Sequence, residues 1–444
     1  MTAIREPDQR TASPPEAGGG GLGNASVSES LTVVGTGVLP ALVRGLFSPR
    51  PKAMKLLTDR NADERTVTEL GKLRRKYGGD GVKLLGGRLV VLWGEPAIRQ
   101  VLDESADAYA GNAGAKAKGM AHFQPDALTM SYGEEWRERR RFNESVLAAR
   151  ERVHPLAEKF VAIVADEVGR LGLVDRLAWP EWERLFDHIT LRVIFGDEAR
   201  EDQELTARLE RLMGEGNRLV GLSPNDDYYE LYGTLERYLQ DPAPDSLIGQ
   251  IAEAPHSDTT RVLQQIPHWM FATRDTLAAN TFRAMAVIAA DDAVTRRVQE
   301  ELDGDELTYL EGCFQEAMRL WPTTPLLARE TKREVTLSGE TIDEGTQILI
   351  LNVFNHRDAD HVEDANRLVP ERWKDDEPDY RFNHLSNGTQ DCPGGPLVLL
   401  LGTAALAEVL KRYQVTLESP RLPAGGDLPY MLNFFETRFS VKPR

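Results

Sequence analysis

Cysteine is nearly absent: the 444 residues contain only Cys313 and Cys392. Two thiols build neither a disulfide framework nor a thiolate cluster for zinc, and they fit a reducing cytoplasm. Positive charge is also short, with 53 Lys and Arg against 70 Asp and Glu and a formal net charge of -17. A phosphate backbone is bound by neutralising it, so neither nucleic acid nor an anionic membrane surface is an expected partner. Long apolar runs are missing too. The longest near the start, Leu31 to Val43, is broken by glycine and by Pro40, and it falls short of the roughly 20 apolar residues of a membrane span. The residues before it include Glu6, Asp8, Glu16 and Glu29 rather than a basic n-region, which is unlike a signal peptide. The run reads as a strap lying on the domain, and the expected location is cytoplasmic.

A length prior of about 150 residues per domain suggests two or three domains. No internal repeat or interdomain linker divides the chain, however, so one large mixed domain is expected over 31 to 444. Residues 1 to 30, with Pro14, Pro15 and the run Gly18 to Gly21, hold too little apolar surface to offset ordering entropy and are expected to form a disordered tail. Val82 to Leu85 and Arg88 to Leu92 flank Gly86-Gly87, a two-residue hairpin signal. From about 134 to 330 the apolar residues recur at helical spacing, as in Leu307, Leu310, Phe314 and Ala317. A second β-rich patch spans Glu334 to Val353, with turns at Ser338-Gly339 and Glu344-Gly345, and short strands are expected after Leu428. The fold class is mainly α with small β-sheets: a single large helical domain with a minor β-rich region.

Cys392 lies in Asn387-Gly388-Thr389-Gln390-Asp391-Cys392-Pro393-Gly394-Gly395, followed by Pro396 and the apolar stretch Leu397 to Leu410. A glycine-rich loop lets backbone approach a flat cofactor. A helix starting just after the cysteine points its positive end at the sulfur, which is expected to lower the thiol pKa and favour a thiolate ligand. Thiolate donation to heme iron favours O–O cleavage. The rival reading is a buried structural cysteine, and the loop alone does not separate the two. Glu316 and Arg319, three apart on a helix ending before Pro322, share one face and can pair. Pro370-Glu371-Arg372-Trp373 follows about fifty residues later.

In this order and spacing the elements resemble the cytochrome P450 family of heme-thiolate monooxygenases, in its bacterial, soluble form. The resemblance implies the P450 fold, heme b (iron protoporphyrin IX) and Cys392 as its metal ligand. It also implies that Glu316, Arg319 and Arg372 brace the cysteine loop. Trp136 and Arg140 match the family's W-x-x-x-R, which contacts a heme propionate, and Arg329 matches a further propionate-binding arginine, with His384 a further candidate there. Ala272-Thr273-Arg274-Asp275-Thr276 matches the A-G-x-D-T segment of the helix crossing the oxygen-binding face. The resemblance covers the chain from about residue 50 onward.

Two departures stand out. The family's cysteine signature, F-x-x-G-x-R-x-C-x-G, has Leu385 and Gln390 here in place of Phe and Arg, while Cys392 and Gly394 are kept. Gln390 offers a propionate only a neutral donor, and Pro393 has no N–H to give the sulfur. Thr273 replaces the glycine that leaves room for dioxygen. Reductive cleavage of dioxygen consumes two protons, and a hydroxyl beside a carboxylate can relay them, which makes Asp275 and Thr276 the candidate catalytic pair. The rival is a polar notch on an apolar helix running from Ile266 to Ala290. Arg274 beside the pair either binds a substrate carboxylate or points to solvent, and Pro267 begins or kinks the helix.

Arg137, Arg139, Arg140 and Arg141 cluster in an otherwise acidic chain. Arg140 is assigned to the heme; the others either steer in an acidic electron donor, a ferredoxin or flavodoxin, or form a solvated face. His356-Arg357-Asp358 resembles half of a non-heme iron triad, a reading opposed by the helical pattern. A peroxide-driven or non-redox heme-thiolate enzyme is the other alternative, opposed by Asp275-Thr276. The expected substrate is a small, largely apolar metabolite of a biosynthetic pathway. It is expected to be contacted from the stretch Tyr109 to Tyr132, with His122 and Phe123, and from helices between about 200 and 240.

Overall fold

Helix signals dominate the chain, and the computed structural model, which describes residues 20–112, 114–173, 175–304, 306–374 and 378–444, turns them into a helical body with sheets at its margin. The fold class is the expected one: mainly helical with small sheets. Four helices build the part that matters for the site. Gly133–Val146 carries the arginine cluster, and Thr308–Leu320 carries Glu316 and Arg319. Gly395–Arg412 starts three residues after Cys392. The fourth runs continuously through Val262–Phe271, the turn Ala272–Thr276 and Leu277–Ala289.

That fourth helix is almost wholly buried beyond Leu277 and belongs to a contiguous apolar core reaching from Phe47 to Val441. The Gly395–Arg412 helix packs against it and against Thr308–Leu320. At Gly402 the approach is so close that an added Cβ would lie 2.3 Å from the Phe314 ring, so glycine is needed there for helix contact rather than for flexibility.

A six-stranded sheet runs in the order Leu22–Asn24, Gly81–Leu84, Leu89–Leu92, Gln347–Ile350, Leu327–Thr331, Tyr109–Ala110. The hairpin is present, with Val82 opposite Val91 and both glycines at positive φ, but its connection is the four residues Leu85 to Arg88 rather than the expected two-residue turn. The β-patch is also present, as Val335–Leu337 paired with Glu340–Ile342 and the strand Gln347–Ile350. A three-stranded sheet joins Tyr413–Ser419, Arg438–Pro443 and Arg176–Ala178. Arg438–Pro443 is the strand expected after Leu428; its partner Tyr413–Ser419 precedes that point. No helix among the described residues is long and apolar enough to cross a membrane.

Three expectations are corrected. The expected tail over 1 to 30 is structured from residue 20 onward: Leu22–Asn24 pairs in parallel with Gly81–Leu84, and Ser26 and Glu29 form a capping box that starts the helix Val27–Val33. Edge pairing and a capped helix supply order that composition does not register. Residues 1 to 19 lie outside the described residues. The expected strap from Leu31 to Val43 is helical throughout, interrupted by a π-turn at Val34–Val38. Pro267 does not begin its helix, which starts at Val262; it sits buried inside it.

Candidate active site

Cys392 emerges between a short turn, Gly388–Gln390, and the helix Gly395–Arg412. The turn is pressed onto the helix Glu95–Asp103. Gly388 has φ +70°, and a Cβ there would meet the Leu102 backbone at 2.5 Å. The Thr389 hydroxyl donates to the Leu102 and Ser105 carbonyls at 3.2 and 2.9 Å. The Cys392 N–H donates to the Leu385 carbonyl at 2.8 Å, and the Gly395 N–H to the Cys392 carbonyl at 3.0 Å. Burial pushes the thiol above its ordinary pKa; the Gly394 N–H bonded to the sulfur opposes the rise, Asp391 adds to it and Arg140 opposes it. Burial thus acts against the lowering expected from the helix end. The donor that Pro393 lacks comes from Gly394. Cys392 is partly exposed, whereas Cys313 is buried.

The loop is braced from behind. Glu316 and Arg319 are both 0% exposed and paired at 2.6 Å. The second Glu316 oxygen accepts from the Val369 N–H at 2.9 Å, and Trp373 donates to the first at 3.1 Å. Arg372 approaches Glu316 at 3.4 Å as the third member. Arg319 donates to the carbonyls of His356 and Ala365 at 2.7 and 2.8 Å. His356 carries the connection onward: Nδ1 bonds the Arg319 carbonyl at 2.9 Å, and Nε2 accepts from the Asn383 N–H at 2.8 Å. Asn387 then ties back to the Asn383 side chain at 3.0 Å.

This corrects the non-heme alternative. Both nitrogens of His356 are engaged, Asp358 is paired with Arg74, and no group of three metal-ligating residues occurs among the described residues.

At the other end of the loop, Gln390 and Arg329 meet. A Cβ on Gly111 would lie 3.2 Å from Gln390 Oε1 and 3.6 Å from Arg329 Nη1. Arg329 is 5% exposed, with Nε donating to the Ser105 hydroxyl at 2.9 Å and no carboxylate within 4 Å among the described residues. Burial brings its pKa down to about 10. A buried cation short of counter-charge is the surrounding that an anionic cofactor edge requires, so the residues present fit heme. Arg140 is placed otherwise than expected: its guanidinium grips the Asp391 carbonyl at 2.6 Å and pairs with Glu144 at 2.7 Å, holding the residue next to Cys392. Trp136, one turn earlier, is half-buried.

Asp275 and Thr276 come together in the turn Ala272–Thr276, which is a π-turn rather than regular helix. The Ala272 carbonyl accepts both the Leu277 N–H and the Thr276 hydroxyl, the latter at 2.6 Å. Asp275 Oδ1 accepts from Arg274 at 2.7 Å, while its buried Oδ2 makes no hydrogen bond among the described residues. Burial raises the Asp275 pKa to about 7; Arg274 opposes the rise, and Glu210, Glu183 and Asp187 add to it. Arg274 itself neither reaches solvent nor stands free for a substrate carboxylate. It is 4% exposed and bonded to Asp187, to Asp275 and, at 3.0 Å, to Glu210.

Asp275 lines two cavities. One is walled by Phe47, Met54, Phe271, Thr276, Ala279 and Phe434. The other opens beside Glu183 and Glu210. The expected contact region behaves differently from the expectation: His122 bonds Glu215 at 2.6 Å and Phe123 packs edge-on to Phe47, so these residues knit the wall together. Met54 and Phe434 are not legible as lining in the sequence, because only the fold brings the two ends of the chain to the cleft. Arg139 is also corrected: it is 3% exposed and donates to the Thr259 carbonyl at 3.2 Å. Arg137 pairs with Glu134 and Asp107, which leaves Arg141 exposed and without a carboxylate within 4 Å among the described residues.

Residues 245–426 match the family model described as Cytochrome P450. The chain is 28% identical over 207 residues to "Probable cytochrome P450 4d20" of Drosophila melanogaster, covering 42% of this chain and 39% of that protein. It is 25% identical over 187 residues to "Cytochrome P450 4V2" of Rattus norvegicus, covering 38% and 36%. It is 26% identical over 202 residues to "Carotene epsilon-monooxygenase, chloroplastic" of Arabidopsis thaliana, covering 41% and 38%. The chain therefore spans less than half the length of these curated relatives. The matched stretch is similar to the cytochrome P450 family, a family of oxidoreductases whose cofactor is heme b. These relatives are animal and plant proteins, so they lend no support to a bacterial form.

Removing one partner of the bracing pair strands a fully buried charge. Arg319→Met is expected to cost about 3–5 kcal/mol, read as a lower urea midpoint at unchanged slope.

Proposed function

We propose that this chain is a heme-thiolate monooxygenase acting on a small, largely apolar metabolite, and the observation that carries the reading is a partly exposed Cys392 on a loop braced by the Glu316–Arg319 cluster. Heme b bound there would supply dioxygen activation at a thiolate-ligated iron. Cys392 would be the ligand, with Gly394 donating to its sulfur. Trp136, Arg329 and Gln390 would frame the propionate edge, Arg140 would hold Asp391 beside the ligand, and Ala272 would lie over the opposite face. The apolar wall of Phe47, Met54, Phe271 and Phe434 suits a largely apolar substrate, and a biosynthetic pathway and a cytoplasmic location belong to the same proposal.

The test is the carbon monoxide complex of the reduced protein. A red-shifted Soret band of thiolate ligation is expected, and Cys392→Ser should abolish it. Retention of the band in Cys392→Ser with loss in Cys313→Ser would overturn the assignment.

Asp275 and Thr276 would deliver protons. Below a pH of about 7 Asp275 holds its proton and can donate it; above that it is an anion paired with Arg274. The yield of product per electron is therefore expected to fall as pH rises through about 7, with peroxide released instead. Asp275→Asn should flatten that step, and a step that persists would remove Asp275 from proton delivery. Product formed equally well from peroxide alone in the variant would favour the peroxide-driven alternative.

Reducing equivalents would come from an electron-transfer protein of ferredoxin or flavodoxin type, and Arg141 is the remaining arginine for steering it. Arg141→Glu is expected to slow reduction at low salt and to lose that effect once the Debye length falls below about 10 Å. A rate measured by stopped flow that ignores both changes places docking elsewhere.

A further inference from the structure

Lys116 has no part in the motifs above, yet it lies where the cysteine loop is short of charge. It stands on the helix Gly114–Met120 with Nζ 3.4 Å from the Gly111 carbonyl. Gly111 is the residue pressed against both Gln390 Oε1 and Arg329 Nη1. Lys116 also acts on His268, on the long buried helix, whose pKa is brought down to about 4 by burial and then by Lys116. The ammonium therefore lies near both that helix and the Gln390 end of the cysteine loop.

Its surroundings are poor in counter-charge. Neither Lys116 nor Arg329 has a carboxylate within 4 Å among the described residues. Other buried arginines without carboxylates use carbonyls instead: Arg283 donates to those of Leu432 and Trp321, and Arg357 to those of Leu428 and Pro429. Arg329 has only the Ser105 hydroxyl and the carbonyl of its neighbour Ala328. Lys116 has one long contact. Burial, and then Arg329, bring Lys116 down to about 8, so both groups are cations at neutral pH. A half-buried ammonium near a buried guanidinium is unfavourable unless anionic groups settle between them.

We infer that Lys116, together with Arg329, binds the two carboxylates of the cofactor's edge and supplies the positive charge that Gln390, in place of an arginine, does not. The inference rests on the heme reading proposed above. A substrate carboxylate has the same chemistry, and the experiment separates the two sources.

The measurement is transfer of heme from the holoprotein to excess apomyoglobin, followed by absorbance. A hydrogen bond to a charged group is worth enough that Lys116→Gln is expected to lose heme roughly tenfold faster or more. Lys116→Arg should hold it as the parent does, and Lys116→Gln combined with Gln390→Arg should recover the slow rate, because the charge returns from the loop side. Unchanged loss in Lys116→Gln overturns the inference. So does faster loss that neither arginine corrects, which would mark Lys116 as a packing residue. Unchanged heme loss with weaker spectral binding of an alkanoic acid, and not of the matching alkanol, overturns it in favour of the substrate. Failure of the heme reading is distinct: the parent protein would then show no thiolate band at all.

Discussion

The fully buried ion pair between Glu316 and Arg319 is the constraint on which the site depends. Two charges taken out of water are unfavourable unless each remaining lone pair and proton is met, and here they are met by backbone and by one indole. Arg319 is held by three carbonyls, those of His356, Ala365 and Arg367, and Glu316 by the Val369 N–H and the Trp373 side chain. A fully satisfied network of this kind fixes positions rather than merely adding stability. Its fixed points are the segments leading into the cysteine loop, and His356 passes the constraint to Asn383. The loop could not be held so by its own composition, since its glycines confer freedom, not order.

The long buried helix solves a different problem, that of placing a carboxylate and a hydroxyl in an apolar wall. A regular helix would use the Ala272 carbonyl for one backbone bond. The π-turn shifts that bond to Leu277 and brings the Thr276 hydroxyl onto the same oxygen, a local irregularity of the kind that recurs at functional positions. Asp275 is kept near neutrality of charge by opposed effects. Burial and three nearby carboxylates raise its pKa, and Arg274 holds it down. Because Arg274 shares itself among Asp187, Glu210 and Asp275, movement of the helix Gln203–Gly216, which carries Glu210, would redistribute the charge acting on Asp275.

Much of this is legible in the sequence. Glu316 and Arg319, Cys392 and the Asp275-Thr276 pair are local patterns whose spacing already states their geometry. The hairpin at Gly86-Gly87 announces itself through residues that accept positive φ. What is not legible depends on residues far apart in the chain. His384, a candidate for the propionates, lies instead against Trp373, with ring centroids 4.9 Å apart, inside the bracing cluster. Arg139 looks like surface charge because three arginines in a row suggest an exposed face, yet the helical turn carries it inward to the Thr259 carbonyl. Lys116 escapes notice because a lone lysine in a small-residue segment has no pattern; only Gly111, Gln390 and Arg329 around it give it meaning. Ordering of residues 22 to 33 likewise requires a partner strand that begins at Gly81.

The thiol shows how a correct element can carry the wrong energetic sign. The helix after Cys392 does start where the sequence places it, and the Gly394 N–H at its start does approach the sulfur. The dipole acts over the first turn and is worth of order 1 kcal/mol, whereas burial disfavours the thiolate, so the free thiol is held neutral. A neutral sulfur is less prone to oxidation than a thiolate. Metal coordination deprotonates a thiol outright, so the protein need not lower the pKa beforehand. What it must do is keep the sulfur in place and the Gly394 N–H aimed at it, and that is the task the buried cluster behind the loop performs.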